Sequence, residues 1–142
     1  MGKPILVIER ILPATPSVVF EHWSDPESLS KWMLPDSGMT LATVEVDFRV
    51  GGRFEIVMHG DIDYRQHGHY LEIDIDRKIA FDWISDWMPE GERETRVIVT
   101  LEPEGNDRTR ITLTHEALPD SDSYAGHEAG WSRILECLSE RL

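Results

Sequence analysis

Six histidines and a single cysteine hold most of the chemical options of this chain. His67 and His69 stand two residues apart in an alternating stretch, so both are expected on one strand face together with Leu71 and Ile73. An H-x-H pair of this kind chelates a metal when a third ligand crosses over, and His59, His115 or Asp61 would have to supply it. The same pair, beside Asp61, Asp63 and Arg65, suits a solvated rim, where an imidazole bonds a polar group of a ligand. The rim is the reading taken, and no metal site is assigned. His127-Glu128-Ala129-Gly130-Trp131 begins like a zinc-binding H-E-x-x-H, but Trp131 stands where the second histidine must share the helix face. His115 closes the inward set of the last strand and His127 lies on a helical apolar stripe. Near a carboxylate either could act as general acid or base, whereas a histidine satisfied inside an apolar core does no chemistry. No partner in the sequence decides between these, so the catalytic set is left empty. Cys137 falls off the helical stripe with nothing nearby to lower its pKa, and is expected to be an unreactive surface or boundary thiol. Walker, G-x-G-x-x-G, G-x-S-x-G and C-x-x-C motifs are absent, and no cofactor is expected.

The aromatic residues form a more informative set. Phe54, Phe81, Trp83 and Trp87 fall in alternating segments, Tyr124 and Trp131 on the helical stripe, and Trp23 and Trp32 in two short helical segments. Such rings either fill a core or line a hollow, and spacing does not separate the two. If hollow, the walls are Phe54, Met58, Trp83, Trp87 and Trp131, with His69, Tyr70, His115 or His127 as the polar anchor.

The elements that must position these residues follow from period and punctuation. Residues 5–12 read as a strand ended by Pro13. Thr15-Pro16 and Asp25-Pro26 each place a capping residue before proline at the first helical position, so two short helices follow. From Leu41 the period is two, interrupted by turns at Gly51-Gly52, at Asp76-Arg77-Lys78, around Pro89-Glu90-Gly91 and at Pro103 to Asp107, which predicts an antiparallel meander of six more strands. The tail from Asp120 returns to helical spacing, with Tyr124, His127, Trp131, Ile134, Leu135, Leu138 and Leu142 on one stripe and Ser121 or Ser123 as N-cap. A sheet and a helix that each carry one apolar face hide both by packing together, the sheet curving around the helix. The expected class is α+β.

Length and charge bound the rest. The 142 residues suit one domain, 1–142, able to bury roughly 70% of its unfolded surface. Lys and Arg number 14 against 27 Asp and Glu, a net charge of −13, which opposes binding to phosphate backbones and anionic lipid surfaces. Neither nucleic acid nor membrane is an expected partner. One cysteine permits no intrachain disulfide, and the apolar run of residues 5–8 is too short for a secretion signal or membrane span, so a cytoplasmic location is expected.

Along the whole chain the residues resemble a known family. The matching pieces are Val19-Phe20, Asp25-Pro26, Leu29, Trp32 and Pro35; Asp47-Phe48-Arg49-Val50-Gly51-Gly52-Arg53-Phe54; Gly68-His69-Tyr70-Leu71-Glu72-Ile73; Ile79-Ala80-Phe81-Asp82-Trp83; Thr112-Leu113-Thr114-His115; and Gly130-Trp131 with Leu135 and Leu138. In this order they resemble the AHSA-type bacterial homologues of the C-terminal domain of the activator of the ninety-kilodalton heat-shock-protein ATPase. These sit within the SRPBCC superfamily of START-like and Bet v 1-like domains. The resemblance implies a helix-grip fold with a hydrophobic cavity between sheet and terminal helix and, for many relatives, binding of a small apolar or aromatic molecule. It also implies architectural roles for Gly51-Gly52, in a turn needing positive φ, and for Gly130, where the helix approaches the sheet.

Three functions stay open on this basis. The first is a small-molecule binding protein with an apolar or aromatic ligand. The second is a co-chaperone or stress-related protein-interaction module acting through its acidic surface; under any of the three the chain is expected to be a monomer or homodimer. The third is a cyclase- or dehydratase-like enzyme using cavity histidines. The non-enzymatic readings are preferred, because no catalytic set carries over.

Overall fold

Alternating residues build seven strands and the proline-started segments build helices in the computed structural model, which describes residues 3–142. Met1 and Gly2, part of the expected 1–142 span, lie outside the described residues. The order is β1 (Leu6–Leu12), α1 (Pro16–Ser24), α2 (Pro26–Trp32), β2 (Ala42–Val46), β3 (Arg53–His59), β4 (Asp63–Asp74), β5 (Lys78–Ser85), β6 (Glu94–Glu104), β7 (Arg108–Glu116) and α3 (Ser121–Glu140). All strands pair antiparallel in one sheet of order β1-β7-β6-β5-β4-β3-β2, so β2 to β7 form the meander and β1 pairs against β7. The sheet curves around α3, giving the helix-grip α+β architecture. No described helix is long and apolar enough to cross a membrane.

Both short helices start with proline at their first turn. Thr15 makes no side-chain cap bond, whereas the Asp25 carboxylate accepts the Glu27 N–H at 3.2 Å. The cap of α3 is Asp120, whose carboxylate accepts the Ser123 N–H at 2.8 Å, and not Ser121 or Ser123 as the spacing suggested. A carboxylate there adds a favourable interaction with the helix dipole that a hydroxyl lacks.

The concave face carries the core: Ile8, Phe54, Ile56, Ile79, Phe81, Val97, Val99, Ile111 and Leu113 are buried, and Trp131, Ile134, Leu135 and Leu138 of α3 meet them. Each such side chain contributes about 1.5–3 kcal/mol when fully withdrawn from water. α3 lies closest to β1 and α2. Toward the middle of the sheet, large rings span the gap, with the centroids of Trp83 and Trp131 5.2 Å apart.

Strand β4 departs from simple alternation. The register shifts between Tyr70 and Glu72, a bulge that resets the phase. Before it, Gln66, Gly68 and Tyr70 are buried; after it, Ile73 pairs with the buried Ile79. The continuous set from His67 through Ile73 on one face is therefore corrected: His67 and His69 face outward, and Gln66, Gly68 and Tyr70 hold the inward places before the bulge. At Gly68 a Cβ would lie 2.1 Å from the Asp82 carbonyl oxygen, so β4 and β5 approach too closely there for any side chain. Gly51 has φ +82°, as its turn requires, while a Cβ on Gly130 would meet Pro35 at 3.3 Å. Gly130 thus faces the segment after α2 rather than the sheet, a correction to its expected role. Cys137 is also corrected: it is buried, with Sγ 3.9 Å from the Leu34 carbonyl oxygen, and burial pushes its thiol pKa up.

Candidate functional site

Between the middle strands and α3 the packing opens into a cleft of about 930 Å³. Its walls come from four places. Strands β3 to β5 supply Met58, Tyr64, Gln66 and Trp83; α3 supplies Ser123, Gly126, His127, Trp131 and Ile134; the α2–β2 segment supplies Met39; the β5–β6 loop supplies Trp87 and Met88. Met58, Trp83 and Trp131 are buried, whereas Trp87 is exposed at the mouth. Its indole stands edge-on to Tyr64 at 5.4 Å and nearly parallel to the His127 ring at 6.3 Å. Asp36, Asp61, Glu92, Asp120 and Asp122 also line it.

Hydrogen bonds fix the state of the two inner histidines. Thr95 Oγ1 donates its proton to the Trp83 carbonyl at 2.7 Å, so the His115 Nε2–H must donate to Thr95 Oγ1, also at 2.7 Å. His115 Nδ1 then accepts the Trp131 indole N–H at 3.0 Å. Both ring nitrogens are occupied, the residue is fully buried, and desolvation with the neighbouring His127 holds its pKa well below 6.5. His115 is a neutral strut behind Trp131, with no lone pair or proton free for catalysis. His127 differs: Nδ1–H donates to the Ser123 carbonyl at 2.8 Å, leaving the Nε2 lone pair as the ring's acceptor. Burial lowers its pKa as well, partly opposed by the bond to Ser123.

Five of the nine expected ligand contacts line the cleft: Met58, Trp83, Trp87, His127 and Trp131. Phe54 and Tyr70 are inward but belong to a filled aromatic cluster, 5.5 Å from each other, with Phe81 5.3 Å from Phe54. Burial drives the Tyr70 phenol pKa upward. His115 lies behind the wall, and His69 is on the opposite face with Nδ1 4.0 Å from Asp82. That outer face also holds Arg65 between Glu55, at 2.9 Å, and Asp86, with His67 Nε2 3.0 Å from Asp86. Burial pushes the Asp86 carboxyl up, but the bonds from Arg65 and His67 outweigh it, and the net direction is down. These half-exposed pairs each contribute about 0–1 kcal/mol. No three His, Cys, Asp or Glu side chains converge as metal ligands among the described residues.

Several lining residues had no signal in the sequence reading. Gln66 occupies an inward strand position as a buried polar residue, a sign obscured by the bulge phase, and its Nε2 bonds the carbonyls of Ile56 and Tyr64 at 3.3 and 3.0 Å. Met39 sits in an aperiodic segment that nothing in the pattern marks.

An antiparallel sheet gripping a long terminal helix, with an aromatic cleft between them, defines a helix-grip protein of the SRPBCC type. The chain belongs to the family described as Activator of Hsp90 ATPase homolog 1-like protein, whose model matches residues 13–142. Solved structures agree in fold. A protein from Rhizobium loti is 29% identical, covering 98% of this chain and 96% of its own, with a TM-score of 0.81. One from Chromobacterium violaceum is 24% identical over 96% and 94%, with a TM-score of 0.83. The AHSA1-like protein from Aeromonas hydrophila is 22% identical over 96% and 90%, with a TM-score of 0.78. Among curated proteins none matches the chain.

Proposed function

We propose that this protein is a cytoplasmic, one-domain binder of a small apolar or aromatic molecule, held between β3–β5 and α3. The observation that carries the reading is the cleft of about 930 Å³ walled by Met58, Trp83, Trp131 and Ile134, with Trp87 at its mouth. Its size falls in the range of roughly 300–1,000 Å³ typical of small-molecule sites, and apolar walls with a few placed polar groups are the usual composition. His127 Nε2 supplies an acceptor that orients the ligand. Occupied nitrogens at His115 and the raised thiol pKa of Cys137 argue against acid–base or nucleophilic catalysis by those two groups.

A neutral aromatic probe tests this. Titration with 1-pyrenemethanol is expected to quench tryptophan emission saturably. In Gly126→Leu the added side chain starts from a position with no heavy atom within 4 Å of its Cβ, on a cleft-lining turn of α3. That variant is expected to fold, since leucine has the higher helix propensity, and to lose affinity by about tenfold or more through occupied volume. Absence of saturable quenching in the parent protein would sink the proposal.

The family's description supports a second reading, a protein-interaction module whose acidic surface meets a basic partner. It predicts association that weakens steeply with salt; association with a candidate client that survives high salt would count against it.

A further inference from the structure

Lysine and arginine are missing from the cleft's lining among the described residues, while carboxylates are not: Asp36, Asp61, Glu92, Asp120 and Asp122 line it. Arg93, on the β5–β6 loop, is outside the lining, with Nε donating to the Met88 carbonyl at 2.7 Å. The Tyr64 hydroxyl donates to Asp61 at 2.7 Å and helps hold that carboxylate's pKa below its usual value. The donors are mostly engaged within the protein: the Trp87 N–H by Gln66, the Trp131 N–H by His115, and the Gln66 amide by two backbone carbonyls. Of the side-chain donors, the Trp83 indole N–H and the Ser123 hydroxyl remain. Against them stand the His127 Nε2 lone pair and five carboxylates, three of which (Asp36, Asp61 and Asp120) each spend one oxygen on an internal bond and keep the other.

We propose that the cleft selects aromatic cations, the ring lodged among Trp83, Trp87 and Trp131 and the ammonium directed to the carboxylates at the mouth, and that it rejects carboxylate-bearing analogues. This rests on the cleft being the ligand site. Two effects act in the same direction. Indole faces attract a cation through their quadrupole, and carboxylates around a cleft with low-dielectric walls focus a negative potential into it. An anion would face that potential with few donors to offset it. The net charge of −13 adds a long-range contribution of the same sign.

The experiment compares three probes on one ring system: 1-pyrenemethylamine, 1-pyrenemethanol and 1-pyrenecarboxylate, each titrated by tryptophan quenching and by calorimetry. The predicted order is amine tightest and carboxylate weakest, with the ends differing by about tenfold or more at low salt and converging as salt screens the charges. Asp36→Asn, Glu92→Gln and Asp122→Asn together should bring the amine-to-carboxylate ratio toward one, with the thermal midpoint confirming that the variant folds. The salt series on the parent protein carries the test if it does not. Equal affinities, or tighter binding of the carboxylate, overturn the charge preference while leaving the ligand site standing. Failure of all three probes to bind overturns the ligand site and this inference with it.

Discussion

His115 carries two hydrogen bonds and no water-exposed surface, and a proton added to it would meet the Trp131 N–H already pointing at Nδ1. Its folded pKa therefore lies well below the ordinary 6.5, and that of His127 is lowered too. With both folded values depressed, the unfolded chain binds more protons below about pH 6.5, so stability is full above that pH and declines as acid is added. Each histidine contributes a slope of up to about 1.4 kcal/mol per pH unit within its window. Urea midpoints between pH 7.5 and 5 are expected to fall in the parent and to fall less steeply in His115→Gln, relative to that variant's own stability at pH 7.5. Parallel slopes would show that His115 protonates in the native state as easily as in the unfolded one. The position of His115 at the end of an inward strand set was legible from alternation. Its neutrality was not, because the partners Thr95 and Trp131 are 20 and 16 residues distant and meet it only in the folded chain.

Strand and helix starts were readable where punctuation is local. Pro16 and Pro26 open α1 and α2, and alternation marks the meander, because each signal acts through the residue's own backbone or its immediate neighbours. The bulge in β4 was unreadable for the opposite reason: it depends on how β5 pairs, and it overturned the face shared with Ile73 that alternation assigned to His67 and His69. Cys137 was misplaced in the same way, since α2 and the Leu34 segment cover a side of α3 that the sheet leaves open. The tight pairing at Gly68 makes a strong prediction. Gly68→Ala places a methyl 2.1 Å from the Asp82 carbonyl oxygen, so β4 and β5 must separate at the floor of the fold. A loss of about 3 kcal/mol in chemical unfolding is expected; a loss under about 1 kcal/mol would mean the two strands relax freely there. Gly126→Ala, with no heavy atom within 4 Å of its Cβ, should instead stabilise α3 by about 0.5–1 kcal/mol.

Twenty-seven acidic side chains on a chain with 14 basic ones create self-repulsion that folding must overcome. Moderate sodium chloride is therefore expected to raise the thermal midpoint by screening, which differential scanning calorimetry would read; a midpoint that falls with salt would place the ion pairs, not the repulsion, in control. Sequence alone could not decide whether the surplus of tryptophan fills a core or lines a hollow. The folded chain divides it: Trp23 and Trp32 pack edge-on at 4.7 Å in the short helices, while Trp83, Trp87 and Trp131 line the cleft. That division gives the most direct test of ligand binding in the cleft. Nitrogen-15 correlation spectra resolve one indole N–H signal per tryptophan. Titration with 1-pyrenemethanol should shift the signals of Trp83, Trp87 and Trp131 along one saturation curve and leave those of Trp23 and Trp32 in place. Stationary cleft signals, or shifts confined to Trp23 and Trp32, would contradict it.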